Sequence, residues 1–76
     1  MMLTPAQCRA ARALIEWNQI RLADASGVSV NTIRDFEGGK RTPITNNLTA
    51  IKNALEDAGV KFVRADNWEG VMAKGR

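Results

Sequence analysis

Apolar residues recur at three- and four-residue spacing through four successive stretches of this chain, and then the spacing changes. The first stretch sets Cys8, Ala11, Leu14 and Ile15 on one helical face. Thr4 ahead of it is a good N-cap, Pro5 suits the first helical position, and Gln7 stands where a capping box places Glu or Gln. Leu3 and Cys8 are spaced to close a hydrophobic staple across that cap. The helix is expected to end near Glu16 or Trp17. A shorter one follows, capped by Asn18, carrying Ile20, Leu22, Ala23 and Ala25, and stopped by Gly27, where a left-handed residue costs glycine nothing. After Val28, Ser29 caps a third helix from Val30 to Glu37, with Ile33 and Phe36 facing inward and Gly38-Gly39 ending it. Lys40 to Pro43 reads as a loop. The fourth helix starts near Thr45 or Asn46, repeats Leu48, Ile51, Ala54, Leu55 and Ala58 at helical spacing, and closes at Gly59.

Beyond Gly59, Val60 to Arg64 is rich in residues that favour strands. Ala65 to Trp68 reads as a turn region and Glu69 to Ala73 as a second strand. The chain therefore divides into a helical unit, 1–59, and a strand or hairpin tail, 60–76. A lone hairpin is marginal in water, so the tail must either cover the helices or pair with another chain. There is no internal repeat and no low-complexity segment.

With 76 residues the chain is one domain, close to the size limit at which an apolar core alone sustains a fold. Its 45% hydrophobic and 25% charged content is ordinary for a globular protein. Cys8 is the sole cysteine, so no internal disulfide is available, which suits a reducing compartment. One cysteine and no histidine leave no zinc site, no metal site and no implied cofactor. The lack of histidine also removes the commonest general base. Without a nucleophile constellation the chain is not read as an enzyme. No run approaches the roughly 18 apolar residues of a membrane span, and the N-terminus lacks a secretion signal, so a cytoplasmic location is expected. A net charge of +3 and a pI near 9.6 favour anionic partners such as nucleic acid.

The second and third helices carry the sharpest pattern. Two short helices flank a tight turn at Gly27, and Ala23, four residues earlier, is small where two steeply crossed helices leave little room. Val28 and Ile33 supply apolar contacts that would lock the crossing. The third helix then turns Val30, Asn31, Thr32, Arg34 and Asp35 outward. From Gln19 to Pro43 the chain closely resembles the phage-repressor (XRE or Cro-type) helix-turn-helix family. The match runs through Gln19, Leu22-Ala23, Gly27-Val28, Ser29, Ile33, Phe36-Glu37, the Gly38-Gly39 turn, Lys40-Arg41 and Pro43. With the flanking helices the resemblance covers about Leu3 to Gly59. Ala58-Gly59-Val60 and Phe62 are similar to the ends of short family members, whereas Trp68-Glu69-Gly70 matches no family feature.

The resemblance implies a mainly α, four-to-five-helix repressor-like domain with a short C-terminal strand or hairpin. It makes the helix at about 29–37 the recognition helix in the major groove of double-stranded DNA. Ser29, Val30, Asn31, Thr32, Arg34 and Asp35 then occupy DNA-facing positions. Asn suits adenine, Arg suits guanine, and Val or the Thr methyl can meet a thymine methyl. A carboxylate at Asp35 is repelled by phosphates unless it accepts from cytosine or orients Arg34. Gln19 corresponds to a residue that bonds a phosphate and braces the recognition helix. Lys40 and Arg41 match backbone-contacting positions, which set register without reading sequence. Arg12 and Glu37 correspond to a partly buried structural ion pair; the alternative is an exposed Arg12 of little consequence. The implied function is sequence-specific DNA binding by a transcriptional regulator, a repressor or autoregulator, acting as a homodimer. The competing reading is a protein-interaction module on the same fold without DNA binding. The bland alternative for the outward residues is an ordinary solvated helix face.

Overall fold

The computed structural model describes residues 2–75; Met1 and Arg76, the outer ends of the expected 1–59 and 60–76 units, lie outside the described residues. Four helices are followed by a two-stranded antiparallel hairpin. Helix α1 spans Pro5–Leu14. Its capping box is reciprocal: the Gln7 N–H donates to Thr4 Oγ1 at 3.1 Å and the Thr4 N–H donates to Gln7 Oε1 at 3.2 Å. The helix stops short of the expected Glu16 or Trp17. Glu16 takes a left-handed φ of 59°, so its N–H turns back to the Ala13 carbonyl and the Trp17 N–H to that of Arg12. This closes the last turn as glycine usually does, here with a side chain that disfavours the conformation by about 1 kcal/mol. Leu14, on the expected apolar face, is 48% exposed, and Gln7 is buried.

Helix α2, Gln19–Ser26, is capped by Asn18 Oδ1, which accepts from the Arg21 N–H at 2.8 Å, and ends at Gly27 with φ 73°. Of its apolar residues only Leu22 is buried; Ile20 and Ala25 face out. Helix α3, Val30–Glu37, starts at Ser29 and buries Ile33 and Phe36 as their spacing predicts. Helix α4, Thr45–Asp57, begins after Ile44 without a side-chain cap and buries Leu48, Ile51, Ala54 and Leu55.

The core lies between the four helices, with Leu22, Ile33, Ile51, Leu55 and Cys8 fully enclosed. Each large aliphatic side chain removed from water there stabilises the fold by about 1.5–3 kcal/mol. Truncating Ile33 to alanine would cost about 2–5 kcal/mol through lost burial and the void left behind.

Strands β1, Val60–Ala65, and β2, Trp68–Ala73, pair in register Val60↔Ala73, Phe62↔Val71, Arg64↔Glu69 and Ala65↔Trp68. The turn is thus Asp66-Asn67 alone, narrower than the expected 65–68 region. Alternation sends Val60, Phe62 and Val71 against the core, while Val63, Ala65, Trp68 and Met72 face away from it and are exposed. Two side chains pin the hairpin to the start of α1: Thr4 Oγ1 donates to Glu69 Oε1 at 3.1 Å and Gln7 Nε2 to the Gly70 carbonyl at 3.3 Å. No described helix is long and apolar enough to cross a membrane.

Candidate nucleic-acid interface

The α2–α3 connection is built from three short-range devices. The Gly27 N–H closes on the Ala23 carbonyl at 2.9 Å, the Val28 N–H donates to Ser26 Oγ at 3.2 Å, and Ser29 Oγ accepts from the Thr32 N–H at 3.2 Å. Val28 is buried, so the turn is fastened to the core between two caps. The left-handed Gly27 is required here, because φ 73° strains any side chain although the space around it is open.

This connection presents α3 with one buried and one open side. Asn31 and Arg34 are exposed, and Val30, Thr32 and Asp35 are half-buried at its margin. The outward side chains are ordered by one another: Arg34 Nη1 donates to Asn31 Oδ1 at 3.0 Å, and the Ser29 and Thr32 hydroxyls lie 2.8 Å apart. Asn31 keeps its amide NH₂ and Arg34 its remaining N–H groups for a ligand. Lys40 and Arg41 stand exposed just past α3. Their backbone N–H groups both return to the Asp35 carbonyl, at 2.9 and 3.4 Å, which ties the basic loop to the helix.

Beneath this surface lies a buried carboxylate. Glu37 is 4% exposed and ends α3. Its Oε1 accepts from Arg12 Nη2 at 2.6 Å and Gln19 Nε2 at 3.0 Å, and its Oε2 from Arg12 Nε at 2.7 Å and the Cys8 thiol at 3.1 Å. Arg12 also reaches the Trp17 carbonyl, and Arg9 donates to the Glu37 carbonyl. The Arg12–Glu37 pair is therefore structural and mostly enclosed, with side chains 18% and 3% exposed. Burial pushes the Glu37 carboxyl up, but the hydrogen bonds from Arg12, Gln19 and Cys8 outweigh it and hold it below the ordinary carboxylate range. Burial, then the Glu37 hydrogen bond and charge, push the Cys8 thiol up, so it stays protonated as a donor.

Gln19 thus sits at the first position of α2 with its amide anchored to the end of α3, joining the two helices of the motif. Sequence reasoning missed Cys8, Arg9 and Arg21. Cys8 precedes Arg12 by one helical turn, which sets both on the side facing Glu37. Arg21 lies over the Trp17 ring, 5.0 Å from its centroid, at a spacing of four residues. No cluster of His, Cys, Asp and Glu able to hold a metal occurs among the described residues. No protein-family model matches the chain, and no curated protein matches its sequence. What this surface can do chemically follows from its own groups: donors and a cation on an exposed helix, a basic loop beside it, and a rigid base beneath both.

Proposed function

We propose that this protein is a sequence-specific double-stranded DNA-binding regulator of the phage-repressor kind, with α3 entering the major groove. One observation carries the reading: an α2–Gly27–α3 unit holds Asn31 and Arg34 together on its exposed side, with Lys40 and Arg41 following directly. Asn31 and Arg34 supply the donors that base edges accept, and Lys40 and Arg41 neutralise phosphates. Gln19 fixes α2 against α3 and offers its helix start to the backbone. A single domain of this size reads only a few base pairs, so two copies on paired half-sites about 34 Å apart complete the reading. The outer face of the hairpin, with Val63, Trp68 and Met72 exposed, is the surface assigned to the second copy. The resemblance from Gln19 to Pro43 and the net charge of +3 support the same conclusion.

The test is selection of a preferred site from a pool of random duplexes, followed by titration over a range of salt. The expected result is an enriched two-fold-related sequence and an affinity that falls steeply with salt, about 0.9 log unit per log unit of salt for each phosphate contacted. No enrichment and no salt dependence would leave the protein-interaction module as the better reading, which the carboxylate of Asp35 on the same helix favours. Sedimentation at high micromolar concentration tests the paired state.

A further inference from the structure

The inner face of the hairpin changes character along its length. Val60 and Phe62 meet the core, but the next inward position is Arg64, paired across the strands with Glu69. The two side chains are 47% and 39% exposed, and Arg64 Nη2 lies 3.2 Å from Glu69 Oε2. Arg64 also lines an open groove together with Gly39, Arg41 and Thr42 of the α3–α4 loop. The fold therefore brings a cation from the far end of the chain to the loop that follows α3. Arg41 and Arg64 both line this groove, and Lys40 precedes Arg41 in the loop. The carboxylate of Glu69 is already divided between Arg64 and the Thr4 hydroxyl. Positive charge is thus in excess where the loop and the hairpin meet.

We propose that Arg64 is a DNA-backbone contact: the hairpin extends the basic loop, and a phosphate of the duplex lies in the groove between Arg41 and Arg64. The proposal rests on the DNA-binding reading above. A phosphate takes a guanidinium by two parallel charge-assisted hydrogen bonds, which an exposed carboxylate partner does not outcompete. Glu69 holds Arg64 in the free protein and yields it to the phosphate. This gives the tail a use in binding that neither covering the core nor pairing two copies requires.

The experiment is fluorescence anisotropy of the full chain with a labelled mixed-sequence duplex at several salt concentrations. Arg64→Ala is expected to lower the slope of log affinity against log salt by about one unit, and Arg64→Lys to keep it. Glu69→Gln is expected to tighten binding by about two- to five-fold, because it frees Arg64 and removes a repelled carboxylate. A wild-type slope in Arg64→Ala, or weaker binding by Glu69→Gln, would overturn the proposal and leave the DNA reading standing. Wild-type protein without salt-dependent binding would instead remove the DNA reading and this contact with it. Should Arg64→Ala fail to fold by circular dichroism, the Glu69→Gln arm decides alone.

Discussion

Replacing Arg12 with alanine removes two of the four side-chain donors on the Glu37 carboxylate, and the only charged ones. What remains is an anion 4% exposed, held by a thiol and an amide. Breaking a buried pair from one side costs about 3–5 kcal/mol; since Cys8 and Gln19 still donate, the lower end, about 3 kcal/mol at neutral pH, is expected. For a domain of this size that is a fall in Tm of about 12–24 °C. Arg12→Lys keeps the charge but not the fork onto both oxygens or the bond to Trp17, and should lose about half as much. The loss must also depend on pH. In the wild type the folded Glu37 titrates below its unfolded value of about 4.3, so the stability it contributes is complete above that value and is lost as pH falls through the folded pKa. In Arg12→Ala burial is left as the main influence, and the folded pKa rises above the unfolded one. The variant is then least penalised below about 4.3 and loses stability as pH rises through its raised folded pKa. The gap between the two proteins is therefore widest at neutral pH and narrows in acid. Urea melts followed by far-ultraviolet circular dichroism at neutral and mildly acidic pH measure it. A loss under about 1 kcal/mol, or one that is equal at both pH values, refutes the account.

Asn31→Ala and Arg34→Ala should each weaken binding to a selected site by about 1–3 kcal/mol while leaving the melt unchanged, since both side chains are exposed; competition titrations against mixed-sequence duplex check this. Gly27→Ala should cost about 1–2 kcal/mol in thermal stability from its φ of 73° alone, because nothing lies within 4 Å of the added Cβ. The buried, protonated Cys8 should resist a soluble disulfide reagent in the native chain and react only when denaturant opens the core; rapid labelling without denaturant would contradict its position.

Much of the architecture is legible because the chain marks its own boundaries. Thr4, Asn18 and Ser29 accept backbone N–H groups as their residue types predict, and Gly27 takes the left-handed turn that a side chain would oppose. The departures from the expected pattern have separate causes. The end of α1 is displaced because Glu16 adopts a conformation whose usual signal is glycine. Gln7 is buried although polar, since Thr4 and Gly70 satisfy its amide from both sides. Leu14 and Ile20 follow helical spacing and yet face outward, because periodicity finds a face without saying how wide the covering element is. The outward residues of α3 were legible from their alternation with Ile33 and Phe36, and the Arg12–Glu37 pair only through resemblance. That Cys8 and Gln19 converge on the same carboxylate was not read, although the resemblance already made Gln19 a brace of the recognition helix and Cys8 stands one turn before Arg12.

Glu37 is also where stability and the proposed interface meet, and Glu37→Gln separates the two. Ile33 and Phe36 set how deeply α3 sits in the core. Its last residue ties the helix to its neighbours: the carboxylate is bonded to α1 through Arg12 and Cys8 and to the first residue of α2 through Gln19. A glutamine fills the same space but carries one acceptor oxygen, so the donors from Arg12, Gln19 and Cys8 compete for it. Arg12, with 18% of its side chain in solvent, can recover part of its hydration, so the stability loss should be smaller than for Arg12→Ala, about 1–2 kcal/mol. The anchor of Gln19 is weakened, and with it one tie between α2 and α3. Because Gln19 is assigned to phosphate and not to base edges, affinity should fall on all duplex sequences alike, with the preference among sites retained. Binding to a selected and to a mixed-sequence duplex, measured well below the variant's Tm, gives both numbers. A change in site preference with unchanged overall affinity would mean that Glu37 orients Asn31 and Arg34 directly, and that Gln19 does not link the two helices to the backbone.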